Sequence, residues 1–566
     1  MEIALNSHSN KNITGKSAFI SLLKQEGVTH LFGNPGTTEL PIMDALTDHP
    51  DLNYVLGLQE ATVVAMADGF SRATGRLTAC NVHVAPGLGN AMGSLYNAKF
   101  FGSPVILTAG QQEQGHGLTE PMLYDQLVPI AAPLVKWAVE VTRLEDLPRI
   151  VHRAAKVALT PPTGPVFISL PGDILNEEGL LDLGSTTRVD TSARPTDEVL
   201  QSFAERILIA KAPVIVSGHE VATHDALDEV GQLAEVLGAP IYQQTVPYGA
   251  HAKSESPCFM GGLPRVQAQA RKILDNYDLM ICVGADVLRM SVFSEVDPLP
   301  ESMSVIQVGL RDWEMGKNYP TELAIRADVK TTLQSLVPVV SSMQSSEQKT
   351  QANSSLPELR DKNWCTQRER HREALLGSAD FDARPIDPEL LMLQISESIP
   401  DNAVIVDEAL VSGATMLRYL PYRDSQSYFG LASGGIGFAI AGAVGIQLAL
   451  PNRPVVAVIG DGSSMYNIQA LWTAANLELP ITYIIVNNRG YRILKERLIA
   501  FHDNHNFIGM DFHSPELDFV SLAESMGVKS RRVECAKDFP SALKDSISSK
   551  GPTLLDVMVD DGFGNR

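Results

Sequence analysis

Cysteine is scarce and unpatterned in this chain. The five residues, Cys80, Cys258, Cys282, Cys365 and Cys535, include no C-x-x-C pair. An odd, scattered set excludes a secreted disulfide framework and offers a structural zinc ion no ligand spacing. No stretch reaches about 18 apolar residues free of charge, so no membrane-spanning helix is expected. The leading residues MEIALNSHSNKNITGK lack the basic-then-apolar order of a secretion signal, and a cytoplasmic location is the expectation. Positive charge is in deficit: 45 Lys and Arg face 66 Asp and Glu, a formal net charge of −21. Free nucleic acid or an anionic membrane surface would be repelled, and the acidity reads as a solvated surface.

What is present is a repeated alternation. Apolar runs of strand length (30–33, 53–58, 77–84, 104–110 and 165–171) are separated by stretches with helical spacing such as TELPIMDALTDH and EATVVAMADGFSRATG. A second set of runs lies at 212–218, 239–243, 279–285 and 303–309, and a third at 403–409, 455–462, 481–488 and 553–559. Strands apolar on both faces and separated by helices predict parallel sheets covered on both sides. A polar, Ser- and Gln-rich stretch at 341–362 reads as a linker, and a softer boundary falls at 183–198. The fold class expected for the 566 residues is three tandem α/β domains, each an open parallel sheet, over 1–183, 190–340 and 366–566, with a linker at 341–365. Ligands of such sheets sit outside the carboxyl ends of the strands.

Two of those ends are unusual. The run VVAVIG closes in Gly460-Asp461-Gly462, and the run ITYIIV closes in Asn487-Asn488. Gly460 and Gly462 permit a tight turn with close backbone approach, so that Asp461 projects from the strand end. A helix beginning near Ser463 would aim its free N–H groups at the same place, which favours phosphate. The Asp461 carboxylate, the Asn488 amide oxygen and the Gly490 carbonyl would supply three hard oxygen ligands. Two phosphate oxygens and a water would complete the octahedron that Mg2+ prefers. A lone Gly-Asp-Gly is a weak signal. Gly-Asp-Gly and Asn-Asn on successive strand ends, separated by 24 residues, form a specific one.

In this form the motif resembles that of the thiamine-diphosphate-dependent enzymes, and the resemblance runs from about Gly15 to about Asp560. It implies a cofactor pair of thiamine diphosphate and Mg2+, and it makes the three domains pyrimidine-binding, middle and diphosphate-binding. The cofactor's aminopyrimidine needs a carboxyl group beside it in an apolar pocket. Glu60, at the start of the apolar helix after the 53–58 run, matches that position. YFGLASGGIGFAIAGAVG (428–445) resembles the family's wedge segment, which puts Ile436 beneath the two rings and the Gly434 carbonyl against the 4′-amino group. The same resemblance assigns cofactor contacts to Asn34, Pro35, Gly36, Leu410, Val411, Gly460, Asp461, Gly462, Ser463, Tyr466, Asn488 and Tyr491.

Within the family the chain is most similar to the benzoylformate decarboxylase branch. LFGNPGTTELP (31–41) and HVAPGLGNAMGSLYNA (83–98) match its first two loops. They imply that Thr37, standing where the branch has serine, orients the substrate carboxylate and that His83 moves protons. Two departures stand out. Ser291 occupies the place of the branch's second catalytic histidine, for which His251 and His116 are the substitutes in the chain. Leu410 and Val411 replace two hydroxyl residues near the diphosphate. The activity implied is non-oxidative decarboxylation of a 2-oxo acid to an aldehyde, or carboligation of the same carbon unit to an aldehyde acceptor. The alternatives are a carboligase of the acetolactate synthase type and a non-catalytic cofactor-binding relative. HVAPG stands at 83–87 where acetolactate synthases carry Thr-Ser-Gly-Pro-Gly, and no Gly-x-Gly-x-x-Gly turn marks the middle segment. The family's architecture implies a homo-oligomer, a dimer of dimers, in which Glu60 and Asp461 of one cofactor site come from different chains.

Overall fold

Three six-stranded parallel sheets follow one another along the chain in the computed structural model, which describes residues 11–291 and 293–563. The first ten residues, part of the stretch read above for a secretion signal, lie outside the described residues, as do 292 and 564–566.

The first sheet contains β2 (His30–Gly33), β3 (Asn53–Leu56), β4 (Thr78–Val82), β5 (Val105–Gln111), β6 (Ala138–Glu140) and β7 (Val166–Pro171), in the order β3-β2-β4-β5-β7-β6. An antiparallel ribbon of β1 (Lys11–Thr14) and β8 (Glu178–Leu181) joins the beginning of this unit to its end. The second sheet contains β9 (Pro213–Ser217), β10 (Ile241–Gln243), β11 (Phe259–Gly262), β12 (Leu279–Val283), β13 (Ser304–Gly309) and β14 (Leu323–Arg326), ordered β11-β10-β9-β12-β13-β14. The third contains β15 (Val404–Glu408), β16 (Tyr428–Gly430), β17 (Val455–Gly460), β18 (Ile481–Asn487), β19 (Lys529–Val533) and β20 (Thr553–Met558), ordered β16-β15-β17-β18-β20-β19. Central strands such as β4, β5, β7 and β18 are buried along their whole length. Helices on both faces require this, and it is why those strands read as unbroken apolar runs.

The winding of the three sheets reverses between β2 and β4, between β9 and β12, and between β15 and β17, respectively. Such reversals leave a crevice at the carboxyl ends of the flanking strands. Asn34–Glu39 and His83 leave the first crevice. Glu408–Val411 and Asp461 leave the third.

The first and third sheets are joined by a helix pair. The Glu60–Thr74 helix starts at Gln59, whose side chain accepts from the Ala61 and Thr62 N–H groups, and stops at Gly75 with φ 65°. It crosses the Phe438–Ala449 helix, whose sequence FAIAGAVGIQLA is rich in small residues. A Cβ on Gly69 would lie 2.2 Å from the Gly442 carbonyl oxygen, and one on Gly445 would lie 1.9 Å from that of Met66. The backbones therefore touch where glycine permits it. The buried Arg72–Asp68 ion pair (2.9 Å) locks the crossing. Arg72 also donates to the Gly430 carbonyl at 3.0 Å and stacks over Phe101 and Phe438.

The polar stretch 341–362 is largely helical. Ser345 and Gln348 form a reciprocal cap at the head of the Ser346–Lys362 helix, and Gln348 donates to the Leu208 carbonyl of the second unit. All five cysteines are free. Cys80, Cys258, Cys282 and Cys535 are buried and Cys365 is exposed. Among the described residues no helix is long and apolar enough to cross a membrane.

Candidate active site

At the first crevice, the turn after β2 places Glu39 entirely out of solvent. Its carboxylate accepts four donors: the backbone N–H of Gly36 (2.8 Å) and of Gly110 (2.8 Å), the Thr38 hydroxyl (2.8 Å) and Nδ1 of His83 (2.8 Å). A carboxylate on Nδ1 fixes the proton there and leaves Nε2 as the free nitrogen of the ring. Gly36 is obligatory beside it, because a Cβ would come 2.1 Å from Nδ1 of His83. The hydroxyl that meets the imidazole is that of Thr38, 3.1 Å away, whereas Thr37 is exposed one residue earlier on the same 3-10 turn. Glu39 and Thr38 are the functional candidates that the sequence reading missed. The signal available was a glutamate two residues beyond Thr37 in a loop already singled out.

Glu60 begins its helix in the same neighbourhood. It is 8 % exposed, and its two oxygens accept from Asn34 (3.3 Å) and Asn90 (3.1 Å), while the missing Cβ of Gly87 leaves it room. Amide donors, with no ion pair to Glu60 among the described residues, suit a carboxyl group that meets a heterocyclic nitrogen on its remaining lone pairs.

At the third crevice Asp461 is 3 % exposed. Its carboxylate accepts from the Gly462 N–H (2.7 Å) and the Gly490 N–H (3.0 Å), and no cationic side chain pairs with it among the described residues. Burial pushes its pKa up to about 6 against the pull of these N–H groups. A buried carboxylate without a counter-charge is costly, and a divalent cation would remove that cost. The amide oxygen of Asn488 accepts from the Gly490 N–H at 3.1 Å. The Gly490 carbonyl accepts from the Arg492 N–H at 3.1 Å and retains a second lone pair. Carboxylate, amide oxygen and backbone carbonyl form an all-oxygen donor set that fits Mg2+. Asn487, by contrast, turns inward to Asp556 (2.8 Å) and is structural. The helix expected near Ser463 is one turn, Asp461–Ser464, and it starts at the aspartate itself. The chain relaxes after that turn and resumes helix at Ala470–Asn476.

A cleft of about 850 Å3 opens beside this turn, between the second and third units. Leu410, Gly434, Ile436, Tyr466 and Tyr491 line it. Tyr491 connects it to the motif, since a Cβ on Gly462 would meet its ring at 2.4 Å. Pro35, Val411, Gly460 and Ser463 flank the two crevices without lining the cleft. Three non-glycine residues with positive φ stand at these sites. Val84 (φ 39°) follows His83, Leu410 (φ 49°) heads the turn after β15, and Arg489 (φ 59°) separates Asn488 from Gly490. Left-handed backbone at non-glycine residues persists where surrounding structure imposes it. Thr37, Glu60 and His83 do not line this cleft, so within one chain the two groups of residues stay apart.

The second unit contributes Gln244–Tyr248, Arg289, Met290 and Ser291 to the cleft wall. His251 is not among them. It is fully buried behind Tyr248, and burial lowers its pKa to about 3. His116 lies on the exposed 3-10 segment Gln114–Thr119. Neither ring stands beside Ser291 in the cleft. Lys495, on the helix that follows the Asn488–Gly490 turn, is buried in ion pairs with Asp511 (2.5 Å) and Asp561 (3.5 Å).

Two crevices of this chemistry, one around a buried carboxyl and an imidazole, the other around an aspartate-centred oxygen cage, define a thiamine diphosphate enzyme. Family models agree along the chain: the thiamine pyrophosphate enzyme N-terminal TPP binding domain matches residues 13–127, the central domain 200–336 and the C-terminal TPP binding domain 412–557. The chain belongs to this family. Among its relatives, benzoylformate decarboxylase of Pseudomonas aeruginosa is 34% identical over 549 residues, covering 96% of this chain and 98% of that protein. The probable acetolactate synthase large subunit of Methanocaldococcus jannaschii is 27% identical, covering 96% and 92%. The structure is similar to that of a thiamine diphosphate-dependent 4-hydroxybenzoylformate decarboxylase from Rhodococcus jostii (TM-score 0.86, 33% identity, 97% and 99% of the two chains). It is also similar to that of benzoylformate decarboxylase from Polynucleobacter necessarius (TM-score 0.87, 29% identity, 98% and 100%).

Proposed function

We propose that this enzyme decarboxylates a 2-oxo acid non-oxidatively, using thiamine diphosphate and Mg2+, and that it can pass the resulting carbon unit to an aldehyde acceptor. The observation that carries the reading is the Glu39–His83 pair, with Nε2 free, on the same crevice as Glu60. When bound, thiamine diphosphate supplies a nucleophilic carbon and an electron sink for loss of carbon dioxide.

The chain's own residues do the rest. Asp461, Asn488 and the Gly490 carbonyl would hold the cation and, with it, the diphosphate end of the cofactor. Ile436 would wedge the two rings and the Gly434 carbonyl would accept from the amino group. Glu60 would engage the pyrimidine nitrogen of the cofactor through its carboxyl group. Nε2 of His83 takes a proton from, or returns one to, the reacting carbon's oxygen, while Glu39 stabilises the imidazolium that forms. Thr37, exposed beside Thr38, orients the substrate carboxylate. Apolar walls around Leu410 and Ile436 exclude water from the reacting carbon.

The separation of Glu60 and His83 from the cleft of Ile436 supports a homo-oligomer, a dimer of dimers, in which each complete site draws on two chains. The absence of secretion-type cysteine patterning supports a cytoplasmic enzyme. An acetolactate synthase-type carboligase is the second reading, favoured by the 27% identity over nearly the whole chain. A panel of aromatic, branched and short 2-oxo acids, supplied with the cofactor and Mg2+, separates the two. Carbon dioxide release with one aldehyde product is expected. Release only in the presence of a second 2-oxo acid would overturn the decarboxylase reading.

A further inference from the structure

The loop that carries the wedge, Ser433–Gly437, has no regular structure, and three side chains from outside pin it. Asn97 donates to the Gly435 carbonyl at 2.6 Å, and Asn467 donates to the Gly437 carbonyl at 2.7 Å. Asn467 is itself held by the Thr62 hydroxyl at 3.0 Å. The third pin is a buried carboxyl group. Glu408, the last residue of β15, is 1 % exposed, and its carboxylate accepts the backbone N–H of Gly437 and, at 2.6 Å, that of Ala439.

The arrangement answers a local problem. The Phe438–Ala449 helix has free N–H groups in its first turn, and a capping side chain would ordinarily satisfy them. Its cap residue is Gly437 at φ 106°, which has no side chain to offer. A Cβ there would meet both Asn467 and Tyr466 at 2.9 Å. Glu408 therefore caps the helix from another strand, and its acceptors meet donors at a helix N-terminus, where negative charge is favoured. Burial still raises its pKa to about 8. No cation pairs with it among the described residues, and it lines the cleft beside Gly434, Gly435 and Ile436.

We propose that Glu408 is a positioning residue for the cofactor: by gripping the Gly437 and Ala439 N–H groups it holds the 434–437 turn in the one arrangement that presents the Gly434 carbonyl and the Ile436 side chain to the bound rings. The proposal rests on the thiamine diphosphate reading above. It assigns Glu408 to the ring half of the site and leaves the diphosphate half untouched.

The test uses full-length E408Q and E408D. Affinity for thiamine diphosphate with Mg2+, the near-ultraviolet dichroism of the bound rings, and hydrogen–deuterium exchange at the thiazolium carbon are measured against wild type. Affinity for inorganic diphosphate with Mg2+ serves as the reference. E408Q puts an amide N–H against a backbone N–H, and is expected to weaken thiamine diphosphate binding and slow exchange by about tenfold or more each. Its inorganic diphosphate affinity should stay within about twofold of wild type. E408D keeps the carboxyl group one methylene short and should fall between. Should E408Q not fold, E408D carries the test with an expected loss of exchange rate of about threefold or more. Wild-type exchange and affinity in the variants overturn the proposal, and so does an equal loss of both diphosphate ligands, which would mark a general structural role. A wild-type chain that binds inorganic diphosphate but not thiamine diphosphate refutes the cofactor reading and this inference with it.

Discussion

Replacing Gly445 by alanine tests whether the helix crossing holds the two crevices in place. A Cβ at this position would stand 1.9 Å from the Met66 carbonyl oxygen and 2.7 Å from the Phe70 nitrogen, and both are backbone atoms that cannot swing aside. Reaching an ordinary contact near ~3.4 Å requires the helices to part by about 1.5 Å, which forfeits much of the dispersion between them. Overpacking of this kind costs about 1–3 kcal/mol. The displacement also reaches the wedge, because Thr62 on one helix holds Asn467, and Asn467 holds Gly437 at the head of the other. G445A should therefore melt below wild type in a thermal scan and bind thiamine diphosphate more weakly by fluorescence titration. The control is G231A, inside the Leu227–Leu237 helix, where a Cβ meets nothing within 4 Å. There the loss of unfolded-chain freedom should stabilise by about 0.4–1 kcal/mol. A G445A protein that melts with or above wild type would refute the packing argument, whatever its activity.

The remaining predictions address chemistry. E60Q should lose most turnover while its circular dichroism and melting stay those of wild type; near-normal turnover in a decarboxylation assay would sink the assigned role. E39Q removes the charged acceptor from Nδ1 of His83, worth about 1.5–3 kcal/mol for a charge-assisted bond, so turnover should fall about ten- to a hundredfold with little change in cofactor affinity. The Asp461 carboxyl has a folded pKa of about 6, above the ordinary 3.8, so the folded state binds the extra proton. Its stabilisation of the metal-free chain is full below pH 3.8 and is lost as pH rises through about 6, amounting to about 3 kcal/mol. A chelator-treated chain should thus gain more from added Mg2+ and cofactor at pH 8 than at pH 5 in melting experiments. An equal gain at both would contradict the buried, uncompensated carboxylate.

Legibility in the sequence followed burial. Every apolar run read as a strand is one in the structure, because central parallel strands are covered on both faces and need no alternation. The strands left unannounced in the three large sheets, β6, β11, β14, β16 and β19, all lie at sheet edges. Edge strands are short, and most of these are partly exposed, so polarity such as the KSRRV of β19 hides them. The 341–362 stretch read as a linker because its helix buries almost nothing of its own. Ala352 is its only buried residue among those described, so no apolar stripe marks it. At the site, the Asp461 and Asn488 positions were readable because strand ends fix them locally. The Glu39–His83 contact was not readable, because it joins residues 44 apart across the β2–β4 crevice and leaves no periodic trace. That Thr38, not Thr37, meets the His83 imidazole was hidden for a similar reason: composition cannot say which of two neighbouring hydroxyls turns toward the ring.

The cysteine distribution has a practical side. Burial makes Cys80, Cys258 and Cys282 poor nucleophiles by raising their thiol pKa, to about 12 for the latter two, and Cys535 is also out of solvent. Only Cys365 is accessible, at the second position of the Trp364–Ser378 helix, where its thiol donates to the Ser254 carbonyl of the second unit at 3.1 Å. A maleimide dye added to the native enzyme would therefore mark one known point per chain. That point lies on the seam between the second unit and the helical connector, well placed to report whether the seam opens during turnover.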